Sequence, residues 1–198
     1  MTLGLVVEGE AEYRALPLLL KAAGATPGGR TAFRGQGVQC SIETLVRSKL
    51  LSHTRAQILR RPSKVLVVID REKRGDCPGA FAQRIHKELV AQLQTSYGYT
   101  GNPPVSVVCV DRSLENWLIA DPEGIGTHAY IERDISKRVG ARADGRDAVS
   151  IMQWAYGARR YYHKSKDAPH LAAKVRVGRR DVRNRSHSLD KFLREAGV

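Results

Sequence analysis

The stretch "LGLVVEGEAE" (residues 3–12) decides how this chain is read: five residues without a charge run into three glutamates within five positions. A short, continuous, valine-rich apolar run is the signature of a strand covered on both faces, as in a parallel sheet flanked by helices. Two more such runs follow, "KVLVVID" (64–70) and "VSVVCVD" (105–111). Between them the apolar period changes to that of helices. Leu16, Leu19, Leu20 and Ala23 share a face in residues 11–23. Ile42, Leu45, Val46, Leu50, Ile58 and Leu59 do so in 42–60, and Phe81, Ile85, Leu89 and Leu93 in 80–93. Strands alternating with helices predict an α/β fold. The turn-rich segment 24–37 leaves room for a short extra strand around Thr31 to Arg34, and 98–104 reads as a loop.

Beyond Asp111 the alternation stops. "RSLENWLIAD" (112–121) predicts a helix capped by Ser113 and halted before Pro122. Residues 146–162 and 188–197 also read as helices, the latter with Ser188 as N-cap and Gly197 as its stop. The expected architecture is a Rossmann-like, mostly parallel sheet flanked by helices. An α/β core spans residues 1–121, and a helical, basic extension (122–198) packs on it in one compact unit. No internal repeat or heptad run interrupts this pattern.

The chain has 198 residues and a formal net charge of +13. Residues 151–198 alone hold 12 Lys and Arg against 4 Asp and Glu, a local charge of +8. Such a surface concentrates polyanions and suits phosphate-backbone contacts, so nucleic acid is the expected partner. Lys164, Lys166, Arg179, Arg180, Arg183 and Arg185 are the candidates for those contacts. No apolar run approaches the roughly 20 residues a membrane span needs, and no secretory signal pattern opens the sequence. Cys40, Cys77 and Cys109 are odd in number and widely spaced, as expected for reduced thiols in the cytoplasm. The P-loop pattern GxxxxGK[ST] is absent, and "GQGVQC" (35–40) lacks the third glycine of a dinucleotide fingerprint.

The acids fall where a ligand would bind. Ligands of open α/β sheets sit outside the carboxyl ends of the strands, and all three strands end in an acid: Glu8, Asp70 and Asp111. Glu72 follows Asp70 by two positions, on the same side if the chain stays extended. Glu12 lies four residues after Glu8, and Glu115 four after Asp111. Gathered carboxylates repel one another unless a cation sits among them. Mg²⁺, or Mn²⁺ in its place, is a hard ion that takes oxygen ligands and bridges carboxylates to phosphates. A single acid after a strand also serves as a first-turn residue favoured by the helix dipole, and Glu10 and Asp111 fit that use.

"LVVEGEAE" followed by "VLVVIDRE" resembles the TOPRIM domain, with its glutamate after the first strand and Asp-x-Asp after a later one. "SLENWLIAD" (113–121) and "RNRSHSLDKFL" (183–193) extend the likeness to small TOPRIM-like proteins related to the overcoming-lysogenization-defect (OLD) nucleases. Such proteins are often encoded beside AAA/ABC-type ATPases in phage-defence-like settings. The resemblance implies Mg²⁺-dependent cleavage of phosphodiester bonds in DNA or RNA, with a separately encoded ATPase as a partner. It makes Glu8 the motif glutamate, as general base or metal ligand, and Asp70 a metal ligand. Position 72 carries Glu72 where the pattern has Asp, one methylene longer. Glu12 and Glu115 become ligands or water-mediated partners. A basic residue facing the metal is also implied, with Lys164, Lys166, Lys174 and Arg183 as candidates.

Two other classes compete with a nuclease. In one, the chain is a non-catalytic nucleic-acid-binding or regulatory subunit of an ATPase complex, and the acids are structural. In the other, Asp70 is a phosphoacceptor, which fits poorly with the basic tail. Tyr161 and Tyr162, beside Arg159, Arg160 and Lys164, are candidate base-stacking side chains. His163 and His170 flank the same basic stretch, and Trp117 and Trp154 read as core.

Overall fold

The structure, a computed structural model, describes residues 2–33, 40–72 and 74–198. The three valine-rich runs form strands β1 (Thr2–Val7), β3 (Lys64–Asp70) and β4 (Val105–Val110). A fourth strand, β2 (Thr26–Ala32), takes up the turn-rich segment, starting earlier than its sequence suggests. Arg34, and the "GQGVQC" motif apart from Cys40, lie outside the described residues. All pairings are parallel and the sheet order is β2-β1-β3-β4. The chain therefore steps from β1 outward to β2, returns past β1 to β3, and continues to β4. The reversal opens a crevice at the carboxyl ends of β1 and β3, the two central strands.

Period-two alternation sends the strand side chains into two apolar layers. Leu5 and Val7 of β1, Leu66 and Val68 of β3, and Val108 and Val110 of β4 face α1 (Glu10–Ala22) through Ala15, Leu16 and Leu19. Val6, Val65, Val67, Ile69 and Val107 face the other way, onto Phe81, Ile85 and Leu89 of α4 (Pro78–Tyr97). Leu45, Val46 and Leu50 complete that second layer. They come from a helical run that is broken where a single helix is expected: α2 (Ile42–Leu45), a π-helical turn (Val46–Leu50) and α3 (Leu51–Ile58).

The C-terminal extension shares the α1 layer. It packs on α5 (Leu114–Ile119) at the end of the core, and it contains α6 (Pro122–Gly126), α7 (Ser136–Val139), α8 (Ala148–Ala155), α9 (Lys164–Ala172), α10 (Arg180–Arg185) and α11 (His187–Glu195). Trp117 of α5 is fully buried and stacks on Phe192 of α11 at 4.8 Å between ring centroids. Its indole N–H donates to Ser188 Oγ at 2.7 Å. Ser188 is thereby engaged, and the cap of α11 is Ser186, which accepts the Leu189 N–H. The helix expected over 146–162 ends at Ala155 because Gly157 adopts φ +73°, and a Cβ there would lie 2.0 Å from Glu132 Oε2. The freed segment leads into α9, which buries Ala168, Leu171 and Ala172. Among the described residues no helix is long and apolar enough to cross a membrane.

Candidate active site

Glu8 leaves the end of β1, Asp70 is the last residue of β3, and Glu12 lies in the first turn of α1. Because β1 and β3 are neighbours in register, their tips are adjacent, and the Asp70 backbone N–H donates to Glu8 Oε2 at 3.1 Å. Gly9 between strand and helix has φ −160°, an extended conformation any residue adopts. Its requirement is space, since a Cβ would stand 2.8 Å from Glu12 Oε2. Glu12, Asp70 and Glu115 are buried, Glu115 completely.

The cation among them is Lys164, the first residue of α9. Its Nζ lies 2.9 Å from Glu12 Oε1, 3.2 Å from Asp70 Oδ2 and 3.9 Å from Glu115 Oε2. The start of α9 is pinned there from two sides. Buried Asp167 accepts the His163 N–H at 2.8 Å, and Arg14 of α1 donates to the Ser165 carbonyl at 3.2 Å. Glu115 lies behind the lysine and takes the Tyr162 hydroxyl at 2.9 Å. Tyr162 is thus committed to an acid and is no stacking platform, whereas Tyr161 is 73% exposed.

The electrostatics are unbalanced. Burial pushes the Glu8 carboxyl up to about 7, aided by Glu72 and Glu12 and opposed by the Asp70 amide and Lys164. Burial raises Asp70 well above the carboxylate range, and Glu12, Glu8 and Glu115 add to the rise while Lys164 opposes it. Burial disfavours the Lys164 ammonium, yet Asp70, Glu115 and Glu12 outweigh it and hold the group above the ordinary lysine range. Among the described residues, four carboxylates thus share the Lys164 ammonium, and the buried Asp70 Oδ1 has no hydrogen-bond partner.

Glu72 lines the same cavity of about 380 Å³ as Glu8, Glu12, Asp70 and Lys164. The chain does not stay extended to bring it there. Glu72 adopts φ +54° and its N–H donates at 2.8 Å to the carbonyl of Arg112, itself at φ +75°. Left-handed backbone at a residue other than glycine costs on the order of 1–3 kcal/mol and collects at functional sites. Asp111, the third strand tip, belongs elsewhere, since it is paired to Arg71 at 2.5 Å.

The basic candidates separate. Lys164 sits on the acids, and the exposed Lys166 lies two residues along. Lys174, ten residues after Lys164 and beyond the end of α9, lines a different cavity with His128 and His170. It is not placed to face the acids, because a helix of that length carries it roughly 15 Å away. His163, by contrast, lines the acidic cavity. Arg179 pairs with Asp181 and Glu123, Arg183 with Asp190, and Arg185 with Asp181. Arg180 is exposed at the start of α10. Most of the tail's arginines are therefore tied into ion pairs within the chain.

An all-oxygen donor set with an orphaned buried carboxylate oxygen fits a hard divalent cation. As the side chains stand, no three His, Cys, Asp or Glu groups among the described residues are gathered as a chelating set. The Lys164 ammonium occupies their centre.

No protein-family model and no curated protein sequence matches the chain. Three solved chains are similar in structure, all of the C-terminal region of the Xanthomonas campestris pv. campestris OLD protein. The mercury-phased chain is 14% identical with a TM-score of 0.37, covering 99% of this chain and 98% of its own. The platinum-phased chain is 15% identical with a TM-score of 0.35, covering 97% and 93%. The iodine-phased chain is 14% identical with a TM-score of 0.39, covering 97% and 95%. At these identities and scores the likeness carries no argument about the site.

Proposed function

We propose that this protein is a metal-dependent nuclease that hydrolyses phosphodiester bonds in DNA or RNA. The observation that carries the reading is the surplus of carboxylates at the β1–β3 crevice: among the described residues, Glu8, Glu12, Asp70 and Glu115 lie around the Lys164 ammonium. Glu8, Asp70 and Glu72 would hold Mg²⁺ or Mn²⁺, with Glu12 and Glu115 behind them. A divalent ion at such a site supplies Lewis acidity toward the phosphoryl group.

The chain's own residues do the rest. Glu8 is oriented by the backbone N–H of Asp70, and the Asp70 carboxylate by the Lys164 ammonium. Glu115 and Glu12 hold the Lys164 side chain over the cavity, and Asp167 fixes the turn from which it projects. From there the ammonium is placed to meet charge developing on a phosphate oxygen, a role worth roughly 10²–10³-fold in rate at comparable sites. A separately encoded ATPase as partner and a phage-defence setting follow from the sequence resemblance alone.

The test is incubation of the full chain with single-stranded, duplex and RNA substrates, with and without Mg²⁺ or Mn²⁺. Metal-dependent scission that disappears in Glu8→Gln is expected. Binding of nucleic acid with no scission under any of these metals would instead favour the second class, a non-catalytic binding subunit.

A further inference from the structure

A cavity of about 740 Å³, lined by none of the acids around Lys164, lies at the open edge of the sheet. β4 is an edge strand, and its backbone alternates. The carbonyls of Pro104 and Val110 point toward β3, accepting from Val65 and Arg71. The intervening residues Val105, Val107 and Cys109 therefore turn their N–H and C=O groups outward.

The two ends of that outer edge are covered. His86 Nε2 lies 3.1 Å from the Val105 carbonyl, and the Asp111 N–H donates to Ser188 Oγ at 3.4 Å. Between these caps, Val107 and Cys109 line the cavity, which is walled by α4 at Ala82 and by α11 at Lys191. An edge with no strand partner among the described residues that opens into a groove is a template for another strand, and native proteins usually block or charge such edges.

The charge at the mouth selects the guest. Arg142, His187 and Lys191 are exposed there. The acids of the same cavity are turned to partners. Asp111 takes Arg71, Asp144 takes the hydroxyls of Ser186 and Ser188, and Glu195 is shared between Lys64 and Lys191. Hydroxyls leave the charge of Asp144 in place; with it set against Arg142, one glutamate between two lysines leaves one net positive charge at this rim.

We propose that the groove between α4 and α11 binds an acidic, extended segment of a partner protein, which adds to the sheet as a strand beside β4. The backbone groups of Val107 and Cys109 supply the register. Ala82 and the apolar faces of Val107 and Cys109 receive alternate side chains, and Arg142 and Lys191 meet the acidic residues. A second copy of the chain is disfavoured as the occupant because two such mouths would bring like charges together.

The test uses the full chain and randomised seven-residue phage-displayed peptides. The expected result is enrichment of sequences that alternate β-branched residues with Asp or Glu. Binding of the enriched peptide should fall at least about tenfold in Ala82→Trp, which fills the groove, and in the Arg142→Glu, Lys191→Glu double variant. N-methylation of the peptide provides a readout independent of how the variants fold. Methyl groups on one set of alternate amides should abolish binding by about tenfold or more each, and those on the other set should be tolerated, since only one set faces β4. The proposal is overturned if no peptides are enriched, if every N-methyl position is tolerated, or if the chain is a dimer that Ala82→Trp converts to a monomer.

Discussion

Two groups of charges in this molecule are built from the same residue types and come out differently. At the carboxyl end of β1 and β3, among the described residues, Glu12, Asp70 and Glu115 contact the Lys164 ammonium and Glu8 feels its charge. At the other group, beneath α6 and α10, Asp121, Glu123 and Asp181 face Arg176, Arg179 and Arg185, three acids to three guanidinium groups. Asp121 there is buried and accepts from Arg176 through two side-chain nitrogens and a backbone N–H, and from Gly124. These bonds overcome its burial and hold it below the usual carboxylate range, the reverse of Asp70. A balanced cluster is a lock, whereas an unbalanced one keeps unspent attraction for a cation.

The largest expected effect separates the two by activity. Asp70→Asn should cut metal-dependent cleavage roughly a thousandfold, as loss of several kcal/mol of charge stabilisation implies, with thermal stability maintained. Asp121→Asn should do the opposite. It leaves cleavage per folded molecule unchanged and costs about 3 kcal/mol in a denaturant titration, since it strands part of a buried ion pair. Equal loss of activity in both would erase the distinction.

Lys164→Met comes next, with an expected loss of roughly 10²–10³-fold in cleavage, while Lys174→Met should cleave as the parent does. The two lysines are equivalent in sequence pattern, so activity lost with Lys174 and kept without Lys164 would reassign the site.

A smaller effect is the pH dependence of stability without metal. Glu8 is raised from 4.5 to about 7 in the folded chain, so the folded state binds its proton more tightly than the unfolded state does. Its stabilisation is full below about 4.5 and is lost as the pH rises toward 7. Melting temperature in a chelator should therefore decline over that window, and Mg²⁺ or Mn²⁺ should recover it at the upper end. At acid pH the order reverses elsewhere. Bonds from Lys191, Ser106 and Lys64 outweigh burial and lower Glu195 to about 2, so its contribution is present above 4.5 and is lost as the pH falls through 2.

The smallest effect concerns the tail. Lys166→Ala, an exposed position, should lower the salt dependence of nucleic-acid binding by about one ion. Arg183→Ala should act mainly on stability, because Arg183 is engaged with Asp190 at 2.7 Å. A salt slope altered equally by both would return the tail's arginines to the interface.

Much of this architecture is written along the chain. The valine-rich runs are apolar on both faces because helices cover both faces, so their number, their parallel pairing and the acids at their tips are properties of local sequence. The capping of α5 by Ser113 and the stop at Gly197 are local in the same sense. What no stretch of sequence carries is which tips meet. Glu8 and Asp70 touch and Asp111 does not, because the sheet order puts β1 beside β3 and hands Asp111 to Arg71. Lys164 could not be told from Lys174 by composition, since the place of α9 is set by contact with α1 and by Asp167. The acids are a property of the sequence. Their shared ammonium, and the excess of charge that makes them a site, come from the packing of segments far apart along the chain, with Glu12, Asp70 and Glu115 all meeting Lys164.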